Sequence, residues 1–261
     1  MTPLLMSSTD ASEPAVSGDP ATSPLQPYRS AGDGKRWWNL PSQTVAPRLA
    51  VGGACLLALG VVLALCETRW GATITSWDRP INEWFVRLGG GEGGIVHTLS
   101  SAVSWIGSGR RTGPIVLVFA AVLVVLRNWR WAVFVLLSAE VGYLISDVTK
   151  VLVARQRPPY LTFDALAVTT SFPSGHTFGG ITAWVAMGLT MWFLLPRPWS
   201  TVVGITLMSI GVLNGPSRLL LGAHWVSDVI GSWLLASGWC LLAAAFTLWR
   251  WGPRPVEVDT A

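Results

Sequence analysis

The chain has 261 residues, of which 51% are apolar and only 12% charged, with a formal net charge of +4. That balance excludes a soluble domain with an ordinary charged surface, and the scattered basic residues form no patch suited to nucleic acid. Three cysteines, Cys55, Cys66 and Cys240, occur in or beside apolar runs without a CxxC pair, so they read as packing residues and not as a disulfide or metal framework.

Residues 1–45 are rich in Ser, Pro, Ala, Thr and Gly and carry no periodic apolar face, so they are expected to form a disordered N-terminal tail. They lack the cationic start and apolar core of a signal peptide before Lys35-Arg36, and the first span reads as an uncleaved anchor. A bilayer core of about 30 Å needs about 20 helical residues. Six stretches meet that need, at about 47–66, 112–129, 131–153, 177–195, 200–216 and 227–249, although Arg127 closes the second early and Pro216 interrupts the fifth. Trp70, Trp129, Trp131, Trp199, Trp249 and Trp251 fall at span ends, where an indole suits the membrane interface. The expected fold is all-α, a polytopic bundle of six transmembrane helices over 46–251, with a short polar tail at 252–261.

In the first loop, Trp77, Ile81, Trp84, Phe85 and Leu88 recur at helical spacing, with Asp78, Arg79, Asn82, Glu83 and Arg87 between them. This is an amphipathic helix expected to lie on the membrane surface. The Gly89-Gly90-Gly91-Glu92-Gly93-Gly94 run after it suggests either simple anchoring or a lid at a substrate entrance.

Three polar patches punctuate the later spans: Lys150-x6-Arg157-Pro158, Pro173-Ser174-Gly175-His176 and Ser217-Arg218-x5-His224-x3-Asp228. The first ends the third span at a Pro-Pro stop, and the second opens the fourth. The 48 residues from His176 to His224 allow one helix across and one back, so all three patches converge on one face. His224 and Asp228, four apart, share a helix face, where a carboxylate can fix the imidazole tautomer; a helix-end ion pair is the ordinary alternative. Ser174 and Gly175 at a helix start suit an anion, or Ser174 serves only as a cap. His176 is placed as a proton donor. Lys150, Arg157 and Arg218 supply positive charge, whereas Arg155, Arg127 and Arg130 read as cations snorkelling at span ends. Asp147 can pair with Lys150, and Glu140 is expected to pair with a cation or hydroxyl of another helix.

These three patches, in order, spacing and residue type, resemble the signature of the type 2 phosphatidic acid phosphatase family, within the wider acid phosphatase–haloperoxidase superfamily. The resemblance covers about residues 150–228. It implies a lipid phosphatase that needs no metal or other cofactor and forms a phosphohistidine intermediate. On that resemblance His224 is the nucleophile, Asp228 its orienting carboxylate and His176 the proton donor, while Lys150, Arg157, Ser174, Gly175 and Arg218 bind phosphate. The expected substrate is a lipid phosphate or diphosphate: a polyprenyl diphosphate, phosphatidic acid or phosphatidylglycerol phosphate.

A non-catalytic lipid-phosphate binder or transporter on the same scaffold is the alternative, though it would need the cations and not the His–Asp pair. The expected location is the plasma membrane, with lipids as partners, no nucleic acid, and the motif face outside by the distribution of Lys and Arg. Glycine stripes at Gly52-Gly53 and Gly231 to Gly238 could pack helices within one chain or join two copies as a homo-oligomer.

Overall fold

Long apolar runs can cross a bilayer only as helices, because hydrocarbon offers no partner to an open backbone N–H or C=O. A computed structural model, describing residues 41–160 and 170–253, is helical in keeping with that constraint. In chain order the helices are α1 (Ala46–Gly89), α2 (Ile95–Ile106), α3 (Gly109–Val125), α4 (Trp129–Val153), α5 (Gly175–Gly179), α6 (Ala186–Leu194), α7 (Trp199–Leu220) and α8 (Val226–Trp251). A π-helical turn, Gly180–Val185, joins α5 and α6 into one rod. Among the described residues five rods are long and apolar enough to cross a membrane, and α2 with α3, bent by 50°, is either a broken span that would make a sixth or a re-entrant loop. The protein is therefore an all-α, multi-pass membrane protein. Residues 1–40 of the expected tail and 254–261 of the C-terminal tail lie outside the described residues. A 3-10 turn at Gln43–Val45 ties the start of the bundle to its end, where Gln43 N–H donates to Pro253 O at 3.1 Å.

Two expectations from sequence are corrected here. The amphipathic segment 77–88 is helical as expected but does not lie apart: it belongs to the second of two helices that run on from one another across a kink within the 44 residues of α1. The rod is broken at Trp70 (φ −129°, ψ 28°) and then continues. Its polar face turns inward: Asp78 and Asn82 are buried, while Trp77, Ile81, Trp84 and Leu88 are exposed. Secondly, Pro216 does not end its span, for α7 passes through it to Leu220.

The glycine stripes pack helices within this chain. A Cβ on Gly53 would meet Gly238 O at 2.9 Å, and one on Gly238 would meet Leu57 N at 2.6 Å, so α1 and α8 touch backbone to backbone. Gly180 and Gly211 bring the π turn and α7 together in the same way. After α1 the chain reverses through Gly90, Gly91 and Gly93, all at positive φ, a conformation that favours glycine. Cys240 is buried and all three cysteines are free.

Candidate active site

His224 lies in the short turn between α7 and α8 and is buried. Its Nε2 stands 3.2 Å from Nη1 of Arg157, and its Nδ1 stands 3.4 Å from Oδ2 of Asp228. A guanidinium only donates, so Nε2 is the accepting nitrogen and Nδ1 carries the proton toward the carboxylate. Burial, with the Arg157 charge beside it, pulls the imidazole down to about 4 despite the opposing pull of Asp228. The ring is neutral at physiological pH, with its lone pair on the Arg157 side.

Asp228 is fixed from several directions. Its Oδ2 also accepts from the Ser171 hydroxyl and from Trp225 N–H at 2.8 Å, the latter capping the start of α8. Its Oδ1 accepts from Arg155 at 2.8 Å. Arg155 is the main correction to the sequence reading. It does not snorkel: its side chain is 6% exposed, and it also meets Glu67 at 2.9 Å, Asp78 at 2.8 Å and the Ser227 hydroxyl at 2.6 Å. Three carboxylates from α1 and α8 thus converge on one guanidinium, the planar donor fork suited to such a hub.

Asn82, fully buried on the far half of α1, clamps the same turn. Its Nδ2 donates to His224 O at 2.7 Å and its Oδ1 accepts from Val226 N–H at 3.0 Å. Asp78, one helical turn earlier, accepts from Ser227 N–H at 3.2 Å and from the Ser227 hydroxyl. The i,i+4 spacing of Asp78 and Asn82 is what lets one helix face hold the turn at His224, Val226 and Ser227.

The remaining predicted residues stand around the His224 ring. Arg157 Nη1 also donates to Ala223 O at 2.9 Å, and burial lowers its proton affinity, partly offset by Asp228. Lys150 pairs with Asp147 at 3.8 Å, as expected from their spacing. A Cβ on Gly175 would meet Lys150 Nζ at 2.8 Å, so the bare backbone at the start of α5 admits the ammonium. Ser174 is buried and accepts from the Thr177 hydroxyl at 2.9 Å, which makes it a cap in this state. His176, half-buried in the first turn of α5, has Arg218, Arg157 and Lys150 as cationic neighbours and the neutral His224 beside them. Arg218 donates through Nη1 to Ser104, whereas its Nε, also buried, has no partner among the described residues and remains a donor for an anion. Sequence reasoning missed Arg155, Glu67, Asp78, Asn82 and Ser171. Glu140 departs from expectation: it is exposed on α4 and makes no hydrogen bond or ion pair among the described residues.

The converging cations, neutral imidazole and backing carboxylate coincide with a match to the family model described as PAP2 superfamily, over residues 130–252. Residues 130–252 thus resemble the PAP2 superfamily. Among curated relatives, an undecaprenyl-diphosphatase of Sulfolobus acidocaldarius is 29% identical over 125 residues, spanning 46% of this chain and 57% of that protein. Phosphatidylglycerophosphatase B of Escherichia coli K12 is 28% identical over 235 residues, spanning 78% of this chain and 89% of its own. In fold, the chain resembles the crystal structure of a transmembrane PAP2 type phosphatidylglycerolphosphate phosphatase from Bacillus subtilis, with a TM-score of 0.62 and 22% identity over 74% of this chain and 94% of that one. Among the described residues the chain groups no set of three or more His, Cys, Asp and Glu that could hold a metal.

Proposed function

We propose that this membrane lipid phosphatase cleaves its substrate through a covalent phosphohistidine at His224. The observation that carries the reading is the Asp228–His224–Arg157 line, in which one imidazole nitrogen is held by a carboxylate and the other faces a phosphate-binding cation. An incoming phosphate oxygen takes over the Arg157 donor and leaves the Nε2 lone pair to the phosphorus. The N–P bond forms as the P–O bond to the leaving group breaks, and His176 gives its proton to the departing oxygen. Lys150, Arg157 and Arg218, with N–H groups at the start of α5, neutralise charge on the equatorial oxygens. Water, deprotonated by His176, then attacks phosphorus, breaks the N–P bond and releases inorganic phosphate. His224 and the protonated His176 are thereby restored.

The substrate class is a lipid phosphomonoester or diphosphate, in line with the activities named for the two curated relatives. The motif end is assigned to the extracytoplasmic face of the plasma membrane. Supporting this, Arg48, Arg127, Arg130, Arg197 and Arg250 gather at the opposite end, where Gln43 and Pro253 also meet. The test is phosphate release by purified protein in detergent with a chelator present, using phosphatidylglycerol phosphate, phosphatidic acid and polyprenyl diphosphate, with His224→Ala as control. Release that survives chelation and is lost in the variant is expected, with acid-labile phosphate on the trapped wild-type protein. Equal release by the variant would refute the assignment.

A further inference from the structure

α2 is amphipathic with its polar side turned inward. Ile95, Leu99 and Trp105 are exposed, whereas Ser104 is buried and His97 and Ser101 are half-buried. His97, Ser101 and Ser104 stand at i, i+4 and i+7, so they form one stripe. The stripe lines a cavity of about 420 Å³ that Arg218, Tyr160 and Glu92 also border. That volume lies within the range of small-molecule sites. Arg218 lines the cavity and is also one of the cations assigned to the phosphate site, so the two adjoin at that side chain.

We propose that this cavity seats the headgroup of the leaving alcohol and favours a hydroxyl-bearing glycerol phosphate headgroup over a leaving group that is itself a phosphate. The inference rests on the phosphatase reading above and narrows its substrate. Two serine hydroxyls and an imidazole can both donate to and accept from a sugar-like or glycerol hydroxyl. Among the described residues the one fixed cation on the wall, Arg218, is shared with the reacting phosphate, and the carboxylate of Glu92 opposes a second phosphate dianion. The exposed apolar side of α2 faces the surroundings, where acyl chains would lie.

The test compares kcat/KM for phosphatidylglycerol phosphate, phosphatidic acid and polyprenyl diphosphate in wild type, Ser101→Val and Glu92→Lys. Phosphatidic acid, whose leaving diacylglycerol has no free hydroxyl, reports that each variant is folded and active. The wild type is expected to prefer phosphatidylglycerol phosphate. Ser101→Val should lower that substrate about three- to tenfold, the value of one hydrogen bond, with phosphatidic acid unchanged. Glu92→Lys should raise polyprenyl diphosphate about three- to tenfold relative to phosphatidylglycerol phosphate. Substrate ratios that stay at wild-type values in both variants, or a wild type that prefers the diphosphate, overturn the proposal. Absence of phosphate release from every lipid would instead overturn the phosphatase reading beneath it.

Discussion

Asn82 touches no predicted phosphate ligand, yet it holds the backbone on both sides of Trp225 through one buried and one part-buried hydrogen bond. Asn82→Leu keeps the side-chain volume and removes both partners. A buried backbone group left without a partner costs about 1–3 kcal/mol, so the pair costs about 2–6 kcal/mol against a typical total of about 5–15 kcal/mol. The turn relaxes, and His224 moves with it. A displacement near 1 Å at a reacting group can cost about 100-fold in rate. The expected result is a fall in kcat on that order with KM nearly unchanged, together with a lower midpoint of thermal inactivation in detergent. Asn82→Asp keeps the acceptor for Val226 N–H and loses only the donor to His224 O, so its loss should lie between wild type and Asn82→Leu. Steady-state kinetics on any accepted lipid phosphate gives the comparison. Full turnover at an unchanged midpoint in Asn82→Leu, or a change confined to KM, would refute the positioning argument.

Ser171→Ala deprives Asp228 of one of its donors while Arg155 and Trp225 N–H remain, so kcat should fall about three- to tenfold, as measured by phosphate release. His224 is held neutral down to about 4, so activity should lose its nucleophile only as pH falls through about 4, which a pH–kcat profile reads. The unfolded imidazole, near 6.5, binds its proton before the folded one does. Stability should therefore rise with pH between about 4 and 6.5 from this group, as followed by denaturation at stepped pH. Gly180→Val drives a Cβ into Gly211 O, so the π turn and α7 must separate; thermal midpoints should fall by the equivalent of at least about 1–3 kcal/mol.

Much of the site was legible because its signals are local. A histidine and a carboxylate four apart, a Ser-Gly before an apolar run and cations beside a Pro-Pro stop each have a near-neighbour meaning. Arg155 was not legible, because a snorkelling arginine and a buried hub look alike at a span end; only three carboxylates distant in sequence distinguish them. Asp78 and Asn82 were misread for a related reason. A helix with one apolar and one polar face normally turns the polar face to water, but beside a membrane the outer surroundings are apolar. Trp77, Ile81, Trp84 and Leu88 face out, whereas Asp78 and Asn82 face the site. Five of the crossings were countable from hydropathy. The bent α2–α3 pair was not resolved as such, since Ser100, Ser104 and His97 dilute its apolar signal.

The length of α1 has a mechanical consequence. One helix begins beside the opposite end of the bundle, traverses the full apolar layer, and finishes holding the turn that carries His224. A change in bilayer thickness alters the tilt of such a rod. Its far half, with Asp78 and Asn82, would swing as a lever about the break at Trp70. The reactive imidazole is thus suspended from the lipid layer itself. Turnover in vesicles of graded acyl length should pass through an optimum where the lever sits level.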